Sequence, residues 1–109
     1  MRQIRVIATA TYEKQVRKLL PAVDRTEMED AIAANPEAHP VVAGTKGVRK
    51  ARWSRPGTGK RGGVRLIYYF WMESDAVVLI TIYAKNEKED LSDADKKEIR
   101  KVVESFRRD

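Results

Sequence analysis

Ile4-Arg5-Val6-Ile7-Ala8 is short and rich in β-branched residues, which predicts a first strand. Thr11 then precedes Tyr12, Val16, Leu19 and Leu20. Their i, i+4, i+7, i+8 spacing puts one apolar stripe on a helix that Pro21 stops. Thr26-Glu27-Met28-Glu29 has the form of a capping box. A second helix is therefore expected to follow it, with Met28, Ala31 and Ile32 on one face and its end at Asn35-Pro36. Two such stripes predict a helical hairpin laid on a sheet. Residues 36–47, with two prolines and two glycines, read as a connection. Val48 to Trp53 alternates, with Ala51 and Trp53 on one face and Val48, Lys50 and Arg52 on the other. A glycine-rich loop, expected to be mobile, covers 54–63 and leads into an aromatic-rich strand from Val64 to Met72. A turn near Glu73-Ser74-Asp75 joins that strand to Ala76–Tyr83, a near-continuous apolar run that should sit centrally in an antiparallel hairpin. Ser92 is placed to cap a last helix, with Asp93 and Asp95 in its first turn and Arg107-Arg108 in its last. Ile99, Val102, Val103 and Phe106 form its docking stripe. The predicted order is β-α-α-β-β-β-α, a single α+β domain over residues 1–109.

Composition narrows the class. One hundred and nine residues make one domain with one real core, and 42% apolar residues argue against disorder despite 35% charged ones. The absence of cysteine excludes disulfide scaffolds, zinc–cysteine sites and thiol nucleophiles. The longest apolar run is too short to span a bilayer, and Met1-Arg2-Gln3-Ile4-Arg5 lacks the apolar stretch of a signal peptide. A cytoplasmic protein with no membrane partner is expected. Charge adds more. Between Lys46 and Arg65 lie eight basic residues and no acidic one, whereas the rest of the chain holds 14 basic against 16 acidic residues. One window thus carries the whole excess behind the net charge of +6, the footprint of a polyanion partner, most often nucleic acid.

The loop Gly57-Thr58-Gly59-Lys60-Arg61-Gly62-Gly63 is not a phosphate-binding P-loop. Its glycines and lysine are wrongly spaced, and no Ser or Thr follows the lysine. Its glycines instead let a cationic loop bend toward a nucleic-acid backbone. Lys50 and Arg52 share a strand face, Arg65 opens the next strand across from them, and Lys60 flanks the group. These cations are expected to form one patch that a phosphate neutralises. Tyr83 and Lys85 share parity and enter the same patch if their strand persists; the segment reads equally as a charged strand-to-helix linker. Tyr68 and Phe70 are expected in the core rather than stacked on bases. His39 stands alone beside Pro40, without partners for a metal site or a Ser-His-Asp triad, and is assigned no role.

Three segments carry a family resemblance: Val48-Arg49-Lys50-Ala51-Arg52-Trp53, then Gly59-Lys60-Arg61-Gly62-Gly63-Val64-Arg65-Leu66-Ile67-Tyr68-Tyr69-Phe70, then Ile82-Tyr83-Ala84-Lys85-Asn86-Glu87-Lys88-Glu89-Asp90-Leu91. In this order the chain resembles the RelE/ParE superfamily of bacterial toxins, and within it the HigB-like, RelE-type branch. The resemblance implies a compact microbial-RNase-type fold, with an antiparallel-rich sheet, an N-terminal helical hairpin and a C-terminal helix. It implies the toxin of a type II toxin–antitoxin pair, a ribosome-dependent, metal-independent and cofactor-free endoribonuclease that cuts messenger RNA. It also implies a helix-turn-helix antitoxin as partner, through which the pair meets operator DNA. By the same resemblance Lys50, Arg52, Arg65, Lys85 and Asn86 are the catalytic set, with Lys50 a candidate base, Arg65 the phosphate grip and Lys85 and Asn86 beside the leaving group. Arg49, Arg55, Lys60, Arg61, Tyr83 and Lys88 are the expected RNA-binding residues. Competing readings are a ParE-like inhibitor of DNA gyrase without catalysis, and a basic RNA- or ribosome-binding module.

Overall fold

The computed structural model describes residues 3–54 and 63–107. The expected glycine-rich loop falls almost wholly outside the described residues, and with it Arg55, Lys60 and Arg61. The chain runs β1 (Arg5–Ala8), α1 (Ala10–Leu19), α2 (Ala22–Ala34), β2 (Arg49–Trp53), β3 (Val64–Trp71), a short 3-10 turn (Met72–Ser74), β4 (Ala76–Ala84) and α3 (Asp93–Arg107). The expected α+β class and element order are observed. The strands form one sheet in the order β1-β4-β3-β2. β4 is central, antiparallel to β3 and parallel to β1, while β2 closes the antiparallel edge.

Two helix starts differ from expectation. The first helix begins at Ala10, one residue before the Thr11 that precedes the apolar stripe, because Thr9 caps it: the Thr9 side chain accepts from the Tyr12 N–H at 3.2 Å. The same hydroxyl reaches the Leu79 and Ile80 carbonyls at 3.0 and 2.8 Å, tying the helix start to β4. The second helix starts a full turn before the Thr26 box, at Ala22 after Pro21. Proline's fixed φ suits a helix entry, so the chain is already helical at Thr26. The Thr26 hydroxyl donates back to the Ala22 carbonyl at 3.0 Å, the mid-helix habit of threonine.

Helices cover both faces of the sheet. The α1–α2 hairpin packs Tyr12, Val16, Met28 and Ile32 on Ala51, Leu66, Tyr68, Val77 and Leu79. On the opposite face α3 packs Ile99 and Val103 on Ile67, Tyr69, Val78 and Ile80. Trp71 meets Phe106 edge-on, with ring centroids 5.5 Å apart. The hairpin is also held by charge. Arg25 bridges Glu13 and Glu29, its Nε lying 2.8 Å from Glu29, and the Tyr12 hydroxyl donates to Glu29 at 2.6 Å. Burial, followed by that carboxylate, pushes the Tyr12 phenol well above its ordinary range. Tyr68 and Phe70 lie on the hairpin face, and the Tyr68 hydroxyl donates to the Pro36 carbonyl at 2.7 Å.

One irregularity in β4 matters for the site. Ile67 pairs with Thr81, but its neighbour Tyr68 pairs with Leu79, so Ile80 is an extra residue. Such a bulge reverses the inward–outward alternation beyond it. Val77 and Leu79 face the hairpin, yet Ile82 does too, and Tyr83 is turned to the α3 face. In an unbroken strand Tyr83 would share the face of Val77 and Leu79.

Candidate functional site

The β2–β3–β4 ladder assembles the site on the α3 face. Val48 belongs to the α3-side cluster and Ala51 to the hairpin cluster, which fixes the parity of β2 and turns Lys50 and Arg52 toward the α3 side. Arg52 is paired with Arg65, and Arg65 with Tyr83, so these three form one row across three strands. Side chains directly opposite in a ladder stand about 5 Å apart at Cβ and share a face. Lys50 is one step away on the same face, opposite Ile67. The bulge at Ile80 completes the row by turning Tyr83 into it.

Burial is graded along the row. Arg52 is exposed and the Lys50 side chain is 18% exposed, whereas Arg65 is 5% and Tyr83 6% exposed. A buried guanidinium needs partners for its fixed donors. Arg65 has few: Nη1 donates to its neighbour's Val64 carbonyl at 3.3 Å, and Nη2 lies 3.7 Å from Glu89. Its buried Nε–H and the buried Tyr83 hydroxyl have no hydrogen-bond partner among the described residues. Arg65 and Tyr83 face each other across the β3–β4 ladder, so both groups without a partner among the described residues belong to the same row. Burial pushes the Tyr83 phenol up; Arg65 pulls it down, and Asp90, Asp95 and Glu89 push it up again.

An acidic strap, of whose residues only Lys88 was given a role from sequence, lies across the row. After β4 the chain turns, with the Glu87 N–H donating to the Ala84 carbonyl at 3.0 Å, and residues 87–90 pass over the site. Asp90 lies 3.4 Å from the Lys50 ammonium and Glu89 reaches Arg65. Lys88 sits 5.3 Å above the Tyr83 ring and 3.1 Å from Asp95. Asp95 and Ser92 cap α3 reciprocally, each side chain accepting the other's N–H at 3.0 Å. Those bonds, the backbone one first, hold the Asp95 carboxyl below its ordinary range. The sequence signal for the strap was the alternation of charge through Lys85-Asn86-Glu87-Lys88-Glu89-Asp90.

Of the expected residues, the fold brings Lys50, Arg52, Arg65, Tyr83 and Lys88 together. Lys85 is half-buried just past β4, its N–H donating to the Gly63 carbonyl at 2.9 Å, and Asn86 is exposed in the following turn. Arg49 is set apart. It belongs to the other parity of β2, and its guanidinium donates to the His39 and Glu37 carbonyls at 2.7 and 3.2 Å, which anchors the connection before β2. His39, given no role from sequence, lines a cavity of about 420 Å³ with Pro40, Lys50 and Arg52, its ring edge-on to Tyr68. Among the described residues no cluster of three or more histidine or acidic side chains is placed to hold a metal ion. Nor is any helix among them long and apolar enough to cross a membrane.

A family model described as the RelE toxin of the RelE/RelB toxin–antitoxin system matches residues 4–108. The chain belongs to the RelE toxin family. Its fold is similar to that of a doubly mutated E. coli toxin RelE in the free state, with a TM-score of 0.58 and 19% identity over 81% of this chain and 90% of that one. It is also similar to a chain of the intact E. coli RelBE toxin–antitoxin complex, with a TM-score of 0.53 and 20% identity over 72% and 93% of the two chains. At this identity the RelE likeness establishes the shared architecture. The chemistry has to be argued from the residues themselves.

Proposed function

We propose that this RelE-family chain is a cytoplasmic translation-inhibiting toxin that cuts messenger RNA on the ribosome without a metal, and that a cognate antitoxin neutralises it. The observation that carries this reading is the in-register row Arg52–Arg65–Tyr83, with Lys50 beside it and, among the described residues, no hydrogen-bond partner for the Arg65 Nε–H or the Tyr83 hydroxyl. The assignment to the HigB-like branch rests on the sequence resemblance.

RNA carries its own nucleophile. In the proposed reaction the 2′-oxygen attacks the adjacent phosphorus, a base takes its proton, and the 5′-oxygen leaves with a proton from an acid. The products are a 2′,3′-cyclic phosphate and a 5′-hydroxyl. The negative charge that grows on the non-bridging oxygens needs oriented donors in a water-poor setting. Arg65 suits that role, because its guanidinium is buried and always protonated. The Tyr83 hydroxyl is the second donor of the row. Lys50 is the candidate base once its carboxylate partner Asp90 is displaced. Lys85 and Asn86, two and three residues past Tyr83 and just beyond β4, serve the leaving 5′-oxygen by the family resemblance. Arg52 and Lys88 steer the strand by charge.

The test is a reconstituted translation system programmed with a labelled message. The proposal expects cuts within the decoding site of ribosome-bound message, insensitive to EDTA at concentrations that leave the ribosomes intact. Inhibition of gyrase supercoiling without any RNA cut would support the ParE-like reading. Ribosome binding without cutting would support a binding module.

A further inference from the structure

We propose that the acidic strap is a built-in competitor for phosphate: Glu89 and Asp90 occupy two anion positions, on Arg65 and Lys50, that incoming phosphates must take over. This deepens the RNA reading above and rests on it for the identity of the polyanion.

The asymmetry of the two ion pairs carries the argument. The cations are fixed and sheltered, with side chains 6% exposed at Arg65 and 18% at Lys50, both projecting from paired strands. Their acidic partners are loose, 53% exposed at Glu89 and 82% at Asp90, and belong to an irregular segment. Separations of 3.7 and 3.4 Å exceed the roughly 2.7–2.9 Å of a tight charge-assisted hydrogen bond. These carboxylates therefore screen the cations without saturating their donors, as the unpaired Arg65 Nε–H attests among the described residues. A phosphate offers the same acceptor chemistry with more charge. The strap is anchored at its far end, where Asp95 holds Lys88 and the start of α3. It can thus release Glu89 and Asp90 while Lys88 stays over Tyr83. In the free protein the strap relieves repulsion among Lys50, Arg52 and Arg65, and it raises the threshold for binding adventitious anions.

The experiment compares the wild type with Glu89→Gln/Asp90→Asn. A matched control, Glu27→Gln/Asp30→Asn, removes the same charge from exposed positions on α2. Two probes are used: inorganic phosphate, followed through the Arg65 Nε–H resonance, and a fluorescent single-stranded 2′-O-methyl RNA that resists cleavage, followed by anisotropy. An exposed ion pair contributes up to a factor of about five, so losing two should tighten binding about three- to tenfold at low salt. The gain should fade as salt rises past about 0.5 M, and the control should gain less than twofold. Equal or weaker phosphate binding by the strap variant overturns the proposal, as does an equal gain in the control. Tighter phosphate binding by the strap variant, with no binding of any of the proteins to this RNA either free or on programmed ribosomes, upholds the competitor and overturns the RNA reading instead.

Discussion

Replacing Tyr83 with phenylalanine separates the chemistry of the row from its packing. The Tyr83 ring is buried in the apolar cluster on the α3 side of the sheet, which also holds Ile67, Ile80 and Ile99, and Lys88 sits on its face; phenylalanine keeps the ring in that setting. What it loses is a buried hydroxyl with no hydrogen-bond partner among the described residues. Removing a satisfied hydroxyl destabilises a fold by about 1 kcal/mol, but a buried unsatisfied one itself costs about 1–3 kcal/mol. The variant should therefore be as stable as the wild type, or more stable by up to about 1 kcal/mol. In urea titration, with a slope of about 1–3 kcal/mol per molar, its midpoint should stay put or rise by up to about 1 M. Cleavage of ribosome-bound message should instead fall about 10²-fold, the effect of losing one oriented donor to a developing oxyanion. A variant destabilised by 1 kcal/mol or more that still cuts at the wild-type rate would overturn this role for Tyr83, since the hydroxyl would then have a structural partner and no catalytic task.

Tyr12→Phe is the contrasting case. Its hydroxyl donates to Glu29 at 2.6 Å, so its loss should lower stability by about 1–2 kcal/mol in urea without changing RNA cleavage by active folded protein. Asp95→Ala removes the reciprocal cap of α3 and should cost about 1 kcal/mol near neutral pH. The Asp95 carboxyl is held below its ordinary range in the fold, so its contribution is complete above about pH 5 and is lost as pH falls. The stability gap between wild type and Asp95→Ala should therefore narrow below about pH 4; a gap that widens there would show that the cap does not act through the charged carboxylate.

Much of the architecture was legible from local patterns. The stripes Tyr12–Val16 and Ile99–Val103 are strong periodic signals, and each became the buried face of its helix. The alternation in β2 placed Ala51 inward and Lys50 and Arg52 together, because a period of two has no slack over five residues. The helix starts were less legible. A threonine and a glutamate three residues apart suit a cap and a helix interior equally, and Pro21 decided between them. The parallel pairing of β1 with β4 joins residues some seventy positions apart and leaves no local trace. The bulge at Ile80 is invisible in an almost uniformly apolar strand, since Val77 through Ile82 read alike whichever face each one takes. For the site, parity and charge brought Lys50, Arg52 and Arg65 together on the page. Arg49 carries the same charge but the opposite parity, and its bonds to two carbonyls of the preceding connection are tertiary facts. Glu89 and Asp90 belong to a segment that reads equally as part of the patch or as a charged strand-to-helix linker, because only the fold shows that it passes back over the cations.

Arg65 carries the largest share of the proposed chemistry. Single-turnover cleavage of a labelled message on programmed ribosomes, by wild type, Arg65→Ala and Arg65→Lys, tests it directly, with urea titrations run alongside. The predicted result is a loss of about 10²–10³-fold for Arg65→Ala and a partial recovery for Arg65→Lys, which keeps the charge but not the planar fork, while both proteins remain folded. Folded Arg65→Ala protein that cuts the message at the wild-type rate would contradict the account.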